Sequence, residues 1–483
     1  MKKRSFLWIG LIVLFSFQVY SQPKTSGKST EVIILHVNDM HAKIDNLPKL
    51  AYLADSLRRM HPYVFLVSAG DNFTGNPVVD MISDKGFPMI DLMNRCGFNV
   101  SAIGNHEFDL GQETLNKRME QAEFPFISCN FDAAGSRLKQ PKPYIILEAG
   151  KNIHIAILGI IELNDKGIPD THPSKVEGIT FYDGIKKAKE YTWLKKKYGI
   201  LIGLTHLGVE TDVMLADSMP AFDEIIGGHS HTLLEKPMME NGVMIVQAAS
   251  NLRYIGKTTL LIENGVVKNS TDEVIPVSVL HRSDSVLARL CANYNRNEEF
   301  SQVAGIAEAP LEGYDALGSL MTDALTHQLK TDIAFQNRGG IRVSSLPKGP
   351  ITLKDIYQLD PFGNQVVTFK MKPEEIRSLI IYACNLEKGI DLQVSGMSYK
   401  ALSDNQGTFV DAELNDPSGK SLDPMREYTV AMNSYIAASY RFIHSDPGTT
   451  GTVTTAELLI QYLKENKKVN YTGVKRAFQV LKK

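Results

Sequence analysis

In the first half of the chain, residues able to hold metal gather behind short apolar runs. VIILHV runs into Asn38, Asp39, Met40 and His41, and YVFLVSAG runs into Asp71 and Asn72. NVSAIG runs into Asn105 and His106, with Glu107 and Asp109 close behind. GILIGLT runs into His206, and DEIIGG into His229, Ser230 and His231. One Asp-x-His or His-x-His pair arises easily on a surface by accident. Five strand-like endings of the same kind in one region do not. In α/β sheets the carboxyl ends of the strands form the ligand crevice, so residues distant in sequence meet there. Two divalent cations about 3.5–4 Å apart need a bridging carboxylate and a mixed set of oxygen and nitrogen ligands. Asp71 suits the bridge. Asp39, His41 and His231 then complete one site, and Asn105, His206 and His229 the other. Glycines before Asp71 and His229 suit tight turns near the metals. The His-rich ligand set favours Zn or Mn, with Mg, Ca or Co as alternatives. His36 and His154, inside strand-like runs, read instead as core residues.

The elements that must position these residues follow from periodicity. Between Glu31 and about Glu263, β-branched apolar runs recur: VIILHV, YVFLVSAG, NVSAIG, PFISCN, YIILEAG, HIAILGI, ILIGLTH, EIIGGH, VMIVQAA and TTLLIE. LPKLAYLADSLRRM and YDGIKKAKEYTWLKKKYG have helical character. In the first of them Leu47, Leu50, Leu53, Ala54 and Leu57 fall at helical spacing. Buried strands alternating with amphipathic helices predict an α/β layered domain over residues 30–280. A polar helical connector is expected over 281–300 and a second, smaller α/β domain over 301–483. The latter should carry helices at GSLMTDALTHQLK, KPEEIRSLIIYAC and TTAELLIQYLKEN and strands at DIAFQN, QVVTFK and YTVAMN.

The totals agree with two domains, since 483 residues with 43% hydrophobic content exceed one ordinary core. A formal net charge of -2 gives no electrostatic case for nucleic acid or an anionic membrane as the main partner. The N-terminus, MKKRSFLWIGLIVLFSFQVYSQ, reads as a signal peptide over residues 1–21, cut after Ser21. Its apolar run, Phe6 to Phe17, falls well short of the about 20 residues of a membrane span. The mature protein is therefore expected to be exported, to a periplasm or the outside. The four cysteines, Cys96, Cys129, Cys291 and Cys384, form no CxxC pair, which leaves a disulfide such as Cys96–Cys129 and buried free thiols both open.

Taken together, NDMHAKID, SAGDNFTGNP, IGNHEFDLG, THLG and GGHSH resemble the blocks of the calcineurin-like metallophosphoesterases. More narrowly they resemble the secreted 5′-nucleotidase and UDP-sugar hydrolase branch. That resemblance implies a four-layer α/β/β/α metallophosphoesterase domain followed by a smaller substrate-binding domain. It also implies that Asp39, His41, Asp71, Asn105, His206, His229 and His231 ligate two divalent metal ions, and that His106 and Asp109 form a catalytic pair. His106 would face the substrate phosphorus and stabilise transition-state charge, and Asp109 would orient and polarise its imidazole. The plainer reading of Asp109 is a helix N-cap. Glu107, without a ligand role, reads as a solvated or structural carboxylate.

In the second half, NRGGIR follows the strand DIAFQ, and glycines beside two arginines suit phosphate or carboxylate recognition. DPFGN then places Phe362 in a turn, where an aromatic can stack on a base. Both segments resemble the C-terminal domain of the same 5′-nucleotidases. The resemblance implies substrate contacts from Asn337 and Arg342, and a base clamp between Phe362 and Tyr435. Two departures stand out. The chain reads AASYRFIHSD where the family continues into a GGDG-like turn, and APLEGYDALGSL lacks the Arg that relatives place ahead of the first helix. Arg338 is the candidate substitute. The expectation is an exported metal-dependent phosphohydrolase, foremost a 5′-nucleotidase acting through metal-activated water. UDP-sugar hydrolysis and 2′,3′-cyclic phosphodiesterase with 3′-nucleotidase activity are the enzymatic alternatives. A nucleotide-binding protein is the non-enzymatic one.

Overall fold

A computed structural model describes residues 29–481; the signal-peptide assignment lies outside the described residues. Two six-stranded sheets form the first domain. The first runs in the order Val266–Pro276, Tyr254–Glu263, Thr30–Val37, Val64–Ser68, Val100–Ala102, Phe126–Ile127. The second runs Met238–Glu240, Val243–Val246, Glu224–Ile226, Gly199–His206, His154–Ile161, Tyr144–Glu148.

Side-chain alternation explains the layering. Along Thr30–Val37, Val32 and Ile34 join Ile155, Ile157, Ile200, Ile202 and Leu204 of the other sheet in one core. Ile33, Leu35 and Val37 point the other way, onto Leu50, Ala54 and Leu57 of the helix Leu47–Met60 and Ile90 and Met93 of Phe87–Cys96. On the far side of the second sheet, Ala156, Leu158, Leu201 and Ile225 pack against Ala188, Leu194, Leu215 and Ala216 of three helices. With both faces of each sheet buried, the inner strands read as continuous apolar runs. The result is four layers, α/β/β/α.

Helix Ser285–Asn295 follows the last of these strands. Its Leu287 and Cys291 belong to the first domain's core, so this connector is packed rather than free. Beyond it a five-stranded sheet runs Leu392–Ser395, Ile333–Asn337, Tyr428–Asn433, Gln365–Met371, Thr449–Thr454. Helices Gly313–Leu329 and Thr455–Asn466 pack together beside it, and Pro373–Leu386 lies against the strands Leu392–Ser395 and Ser398–Ser403. One expectation from the sequence needs correction, and one strand was missed. The stretch YDGIKKAKEYTWLKKKYG is two short helices, Gly184–Lys189 and Trp193–Tyr198, because a turn at residues 190–192 interrupts it. Val266–Pro276, polar enough to escape notice, is a long edge strand.

All four cysteines are buried free thiols, and burial pushes Cys129 up to about 12. Among the described residues no helix is long and apolar enough to cross a membrane. His36 is a buried core residue whose Nε2 lies 3.1 Å from the Asp272 carboxylate. It stands opposite Gly256 on the neighbouring strand, where an added Cβ would come within 2.0 Å of the imidazole. Gly256→Ala should therefore displace the His36–Asp272 pair. Overpacking of this kind costs about 1–3 kcal/mol, read as a lower urea midpoint; an unchanged midpoint would refute the contact.

Candidate metal centre and active site

The turns that follow the first-domain strands are hydrogen-bonded to one another. Asp39 N donates to Gly70 O at 3.0 Å, His41 N to Asp71 O at 3.0 Å and Ala42 N to Asn72 O at 2.8 Å. Gly70 (φ +92°) and Gly104 face each other so closely that a Cβ on Gly104 would meet Asp71 Oδ1 at 2.2 Å. Most of the bending falls on the candidate ligands themselves. Asp39, His41, Asp71, His229 and His231 all have left-handed φ, between 46° and 75°. Such strain in non-glycine residues costs about 1–3 kcal/mol each and collects at functional sites.

The side chains converge. Ligand atoms of Asp39, His41 and His231 lie within 4.8 Å of one another, as do those of Asp39, Asp71 and His206. His41 Nε2 is 2.9 Å from His231 Nε2, and His231 Nε2 is 3.4 Å from Asp39 Oδ1. Asn105 Oδ1 sits 3.2 Å from His206 Nε2 and 3.1 Å from His229 Nδ1. Asp71 Oδ2 is 3.1 Å from His206 Nε2, and Asp71 also groups with His41 and His106 on its other side.

This donor set fits cations. His206 Nδ1 lies 2.7 Å from the carbonyl oxygen of Ala69. A carbonyl only accepts, so Nδ1 carries a proton, and once Nε2 gives up its own the ring turns a lone pair toward Asp71 Oδ2 and Asn105 Oδ1. Three acceptors meeting out of water call for positive charge between them. The His206 imidazole reports the same demand. Burial lowers its pKa, but the charges of Asp71 and Asp39 outweigh that and push it up to about 10. Conversely, burial and then the Arg342 charge hold His41 well below its ordinary value, as a neutral ligand requires.

Beside this cluster His106 Nδ1 donates to Asp109 Oδ2 at 2.6 Å, while its backbone N–H donates to Asp71 Oδ1 at 2.9 Å. Burial opposes protonation of His106, yet the carboxylates of Asp71 and Asp109 raise its pKa. Asp109 is not a helix N-cap: it closes the short 3-10 turn Asn105–Phe108 at its C-terminal end, and the helix Gln112–Gln121 has Gly111 at its N-cap. Glu107 is fully buried and accepts from the backbone N–H groups of Asp71 (2.9 Å), Asn72 (2.7 Å) and Gly104 (2.7 Å). The solvated reading of Glu107 is thus wrong and the structural one right.

The second domain closes over the site. Arg342 reaches His41, its Nη2 2.9 Å from Nε2. The Phe362 ring stacks on His106 with centroids 5.6 Å apart and planes 25° apart, and the Arg342 guanidinium lies 5.6 Å from the same ring. Tyr435 donates its hydroxyl to the Asp170 carboxylate of the first domain. Asn337, Arg342, Phe362 and Tyr435 line one cavity of about 1500 Å³ with His106, Asp109 and His229. Arg338 is not brought there. Its guanidinium lies 4.4 Å from the Tyr314 ring, outside the cavity lining.

Residues 32–233 match the calcineurin-like phosphoesterase family, and residues 298–441 match the 5′-nucleotidase C-terminal domain. The chain is 28% identical to a 5′-nucleotidase of Vibrio cholerae, over 93% of each chain. It is 26% identical to protein UshA of Salmonella pullorum, over 95% of this chain and 96% of that one. The 5′-nucleotidase precursor of Thermus thermophilus has the same fold, with a TM-score of 0.81 at 26% identity over 93% of this chain and 99% of that one. The chain belongs to the 5′-nucleotidase family. It is a phosphoesterase hydrolase, and its buried His/Asp cluster fits the dimetal site of metallophosphoesterases.

Sequence reasoning missed Glu162, Asp170 and Thr171 at this phosphoesterase site. Glu162 directly follows the strand His154–Ile161, so the strand-end rule that found the ligands also reaches it. Asp170 and Thr171 sit in an irregular segment without such a signal. The Glu107 contacts lead to a test. Each buried donor left unpaired costs about 1–3 kcal/mol, so Glu107→Leu should lower stability by on the order of 3–5 kcal/mol and reduce bound metal, although Glu107 ligates none. Chemical unfolding and elemental analysis check both, and wild-type metal content at wild-type stability would refute it.

Proposed function

We propose that this phosphoesterase is an exported 5′-nucleotidase that releases phosphate from nucleoside 5′-monophosphates with two bound divalent cations, Zn or Mn. What supports the reading most is the meeting of Arg342 and Phe362 of the second domain with His41 and His106 of the first. A cation and an aromatic face beside the catalytic imidazole suit a phosphate carrying a flat base. Asp39, His41, Asp71 and His231 would hold one cation, and Asp71, Asn105, His206 and His229 the other. Cations bound there would supply charge stabilisation to the phosphoryl oxygens and an acidified water.

The chain's own groups do the rest. Arg342 holds a phosphate oxygen. His106, its Nδ1 proton fixed on Asp109, turns Nε2 toward the phosphoryl group and stabilises charge that grows in the transition state. Asn337, buried and fixed by the Asn433 amide at 2.9 Å, presents a polar edge to the leaving group. In this arrangement one face of Phe362 is covered by His106, so a base lies on the part of the ring that lines the cavity, or on the covered face once the domains part.

Phosphate release tests this. AMP, UDP-glucose, a 3′-nucleotide and a 2′,3′-cyclic nucleotide would be offered side by side with added Mn or Zn, and again with chelator. Release should be fastest from AMP and stop with chelator; a faster rate on another ester would move the assignment to that ester. Stacking of a base is worth about 1–3 kcal/mol, so Phe362→Ala should raise KM for AMP by roughly 5- to 150-fold. The KM for a small aryl phosphate should change far less. Equal losses on both substrates would remove the stacking role.

A further inference from the structure

We propose that Thr171 is a positioning residue for the His106–Asp109 pair. The proposal rests on the reading of that pair as catalytic and adds the group that fixes it. The Asp109 carboxylate has two oxygens. Oδ2 takes the His106 Nδ1 proton at 2.6 Å, and Oδ1 takes the Thr171 hydroxyl at 2.9 Å. A carboxylate with one bonded oxygen can turn about its Cβ–Cγ bond and carry the imidazole with it. With both oxygens bonded it cannot, and His106 is held in one tautomer and one plane.

Thr171 is itself well anchored. It is 2% exposed, and its backbone N–H donates to Pro169 O at 2.7 Å. The preceding residue is fixed by Glu162, whose Oε1 accepts Asp170 N at 2.6 Å and whose own N–H donates to His206 O at 2.9 Å. Asp170 O in turn accepts Asn105 Nδ2 at 3.0 Å, which aims Asn105 Oδ1 at His206 and His229. Two consecutive residues therefore orient two different groups of the site. Asp170 does so through its carbonyl, for Asn105, and Thr171 through its hydroxyl, for Asp109.

The test compares wild type, Thr171→Val, Thr171→Ser, Asp109→Asn and the Thr171→Val/Asp109→Asn double variant, with p-nitrophenyl phosphate as substrate. That ester leaves the choice of nucleotide out of the result. Valine keeps the shape and removes the hydroxyl. Hydrogen bonds to charged groups suggest that Thr171→Val should lower kcat roughly 10- to 100-fold, with KM and bound metal unchanged. Thr171→Ser should restore most of the rate. In the Asp109→Asn background the valine should add nothing, since the carboxylate it loosens is already gone. The proposal is overturned by a wild-type kcat in Thr171→Val, by a serine variant as slow as the valine one, or by a valine that slows Asp109→Asn by the same factor. Thr171→Ala takes the place of the valine variant should the latter not fold. A wild-type rate in Asp109→Asn would instead strike the catalytic pair itself, and that result is seen without altering Thr171.

Discussion

The Glu107 carboxylate ties together the turns that carry the centre of the site. From one buried point it accepts the N–H groups of Asp71, Asn72 and Gly104, and also the Asn72 amide at 3.0 Å. Those N–H groups belong to the turns after Val64–Ser68 and Val100–Ala102, two parallel neighbours in the first sheet. Strand pairing ends where the turns begin, so nothing in the sheet itself fixes how far apart they stand. Glu107 supplies that distance. Asp71 then stands where two clusters of candidate ligands meet, and His106 donates its backbone N–H to Asp71. Burial and the nearby Asp71 charge push the Glu107 carboxyl up to about 7, against the pull of the backbone donors. The low-dielectric position that makes this group hard to ionise also makes its hydrogen bonds strong.

Strain is distributed in the same economy of contacts. Five of the candidate ligands hold left-handed backbones that a free loop would not keep. They persist because each turn is bonded to a neighbour. Asp39 N–H goes to Gly70 O, His41 N–H to Asp71 O, and His229 N–H to the Asp39 carboxylate at 3.1 Å. A tight left-handed bend after each strand brings side chains from different turns to one point, which an extended exit would spread along the sheet edge. The glycines that the sequence marks as turn formers do less of this than expected. Gly70 has the positive φ, but beyond it the bending falls on Asp71, His229 and His231 themselves.

What could be read from the sequence follows from which physical patterns are local. Alternation and β-branched runs are local, so all ten strand-like runs of the first half fall on strands, among them Thr30–Val37 and Gly199–His206. Placement at strand ends is nearly local, and it brings the seven ligand candidates to one cluster with His106 and Asp109 beside them. Direction is not local. Nothing in NRGGIR says that Arg338 turns to the Tyr314 ring while Arg342, four residues on, reaches His41 across the domain boundary. Nor does Glu107 announce its burial, because an acidic residue in a polar loop is most often solvated. Asp170 and Thr171 act through a carbonyl and a hydroxyl in an irregular segment, where residue type carries almost no information about partners.

The closed arrangement of the domains has its own electrostatic logic. The first domain gathers Asp39, Asp71 and Asp109 around its imidazoles in a space removed from water, and such a space attracts positive charge. Arg342 brings one from the second domain. Its guanidinium lies against His41 and under the influence of Asp71 and Asp109, while burial lowers its own pKa. Tyr435 makes a second link, to Asp170, whose carbonyl holds the Asn105 amide. Lys166 Nζ adds a third, to Ala438 O at 2.5 Å, and Arg441 a fourth, to Asp165 O at 2.7 Å. Three of these four links end on the segment between Glu162 and Thr171. The segment that orients Asn105 and Asp109 is therefore also the one that the second domain contacts. Any movement of the second domain away from the first has to break those three contacts, and they lie on the residues next to the Asn105 and Asp109 hydrogen bonds.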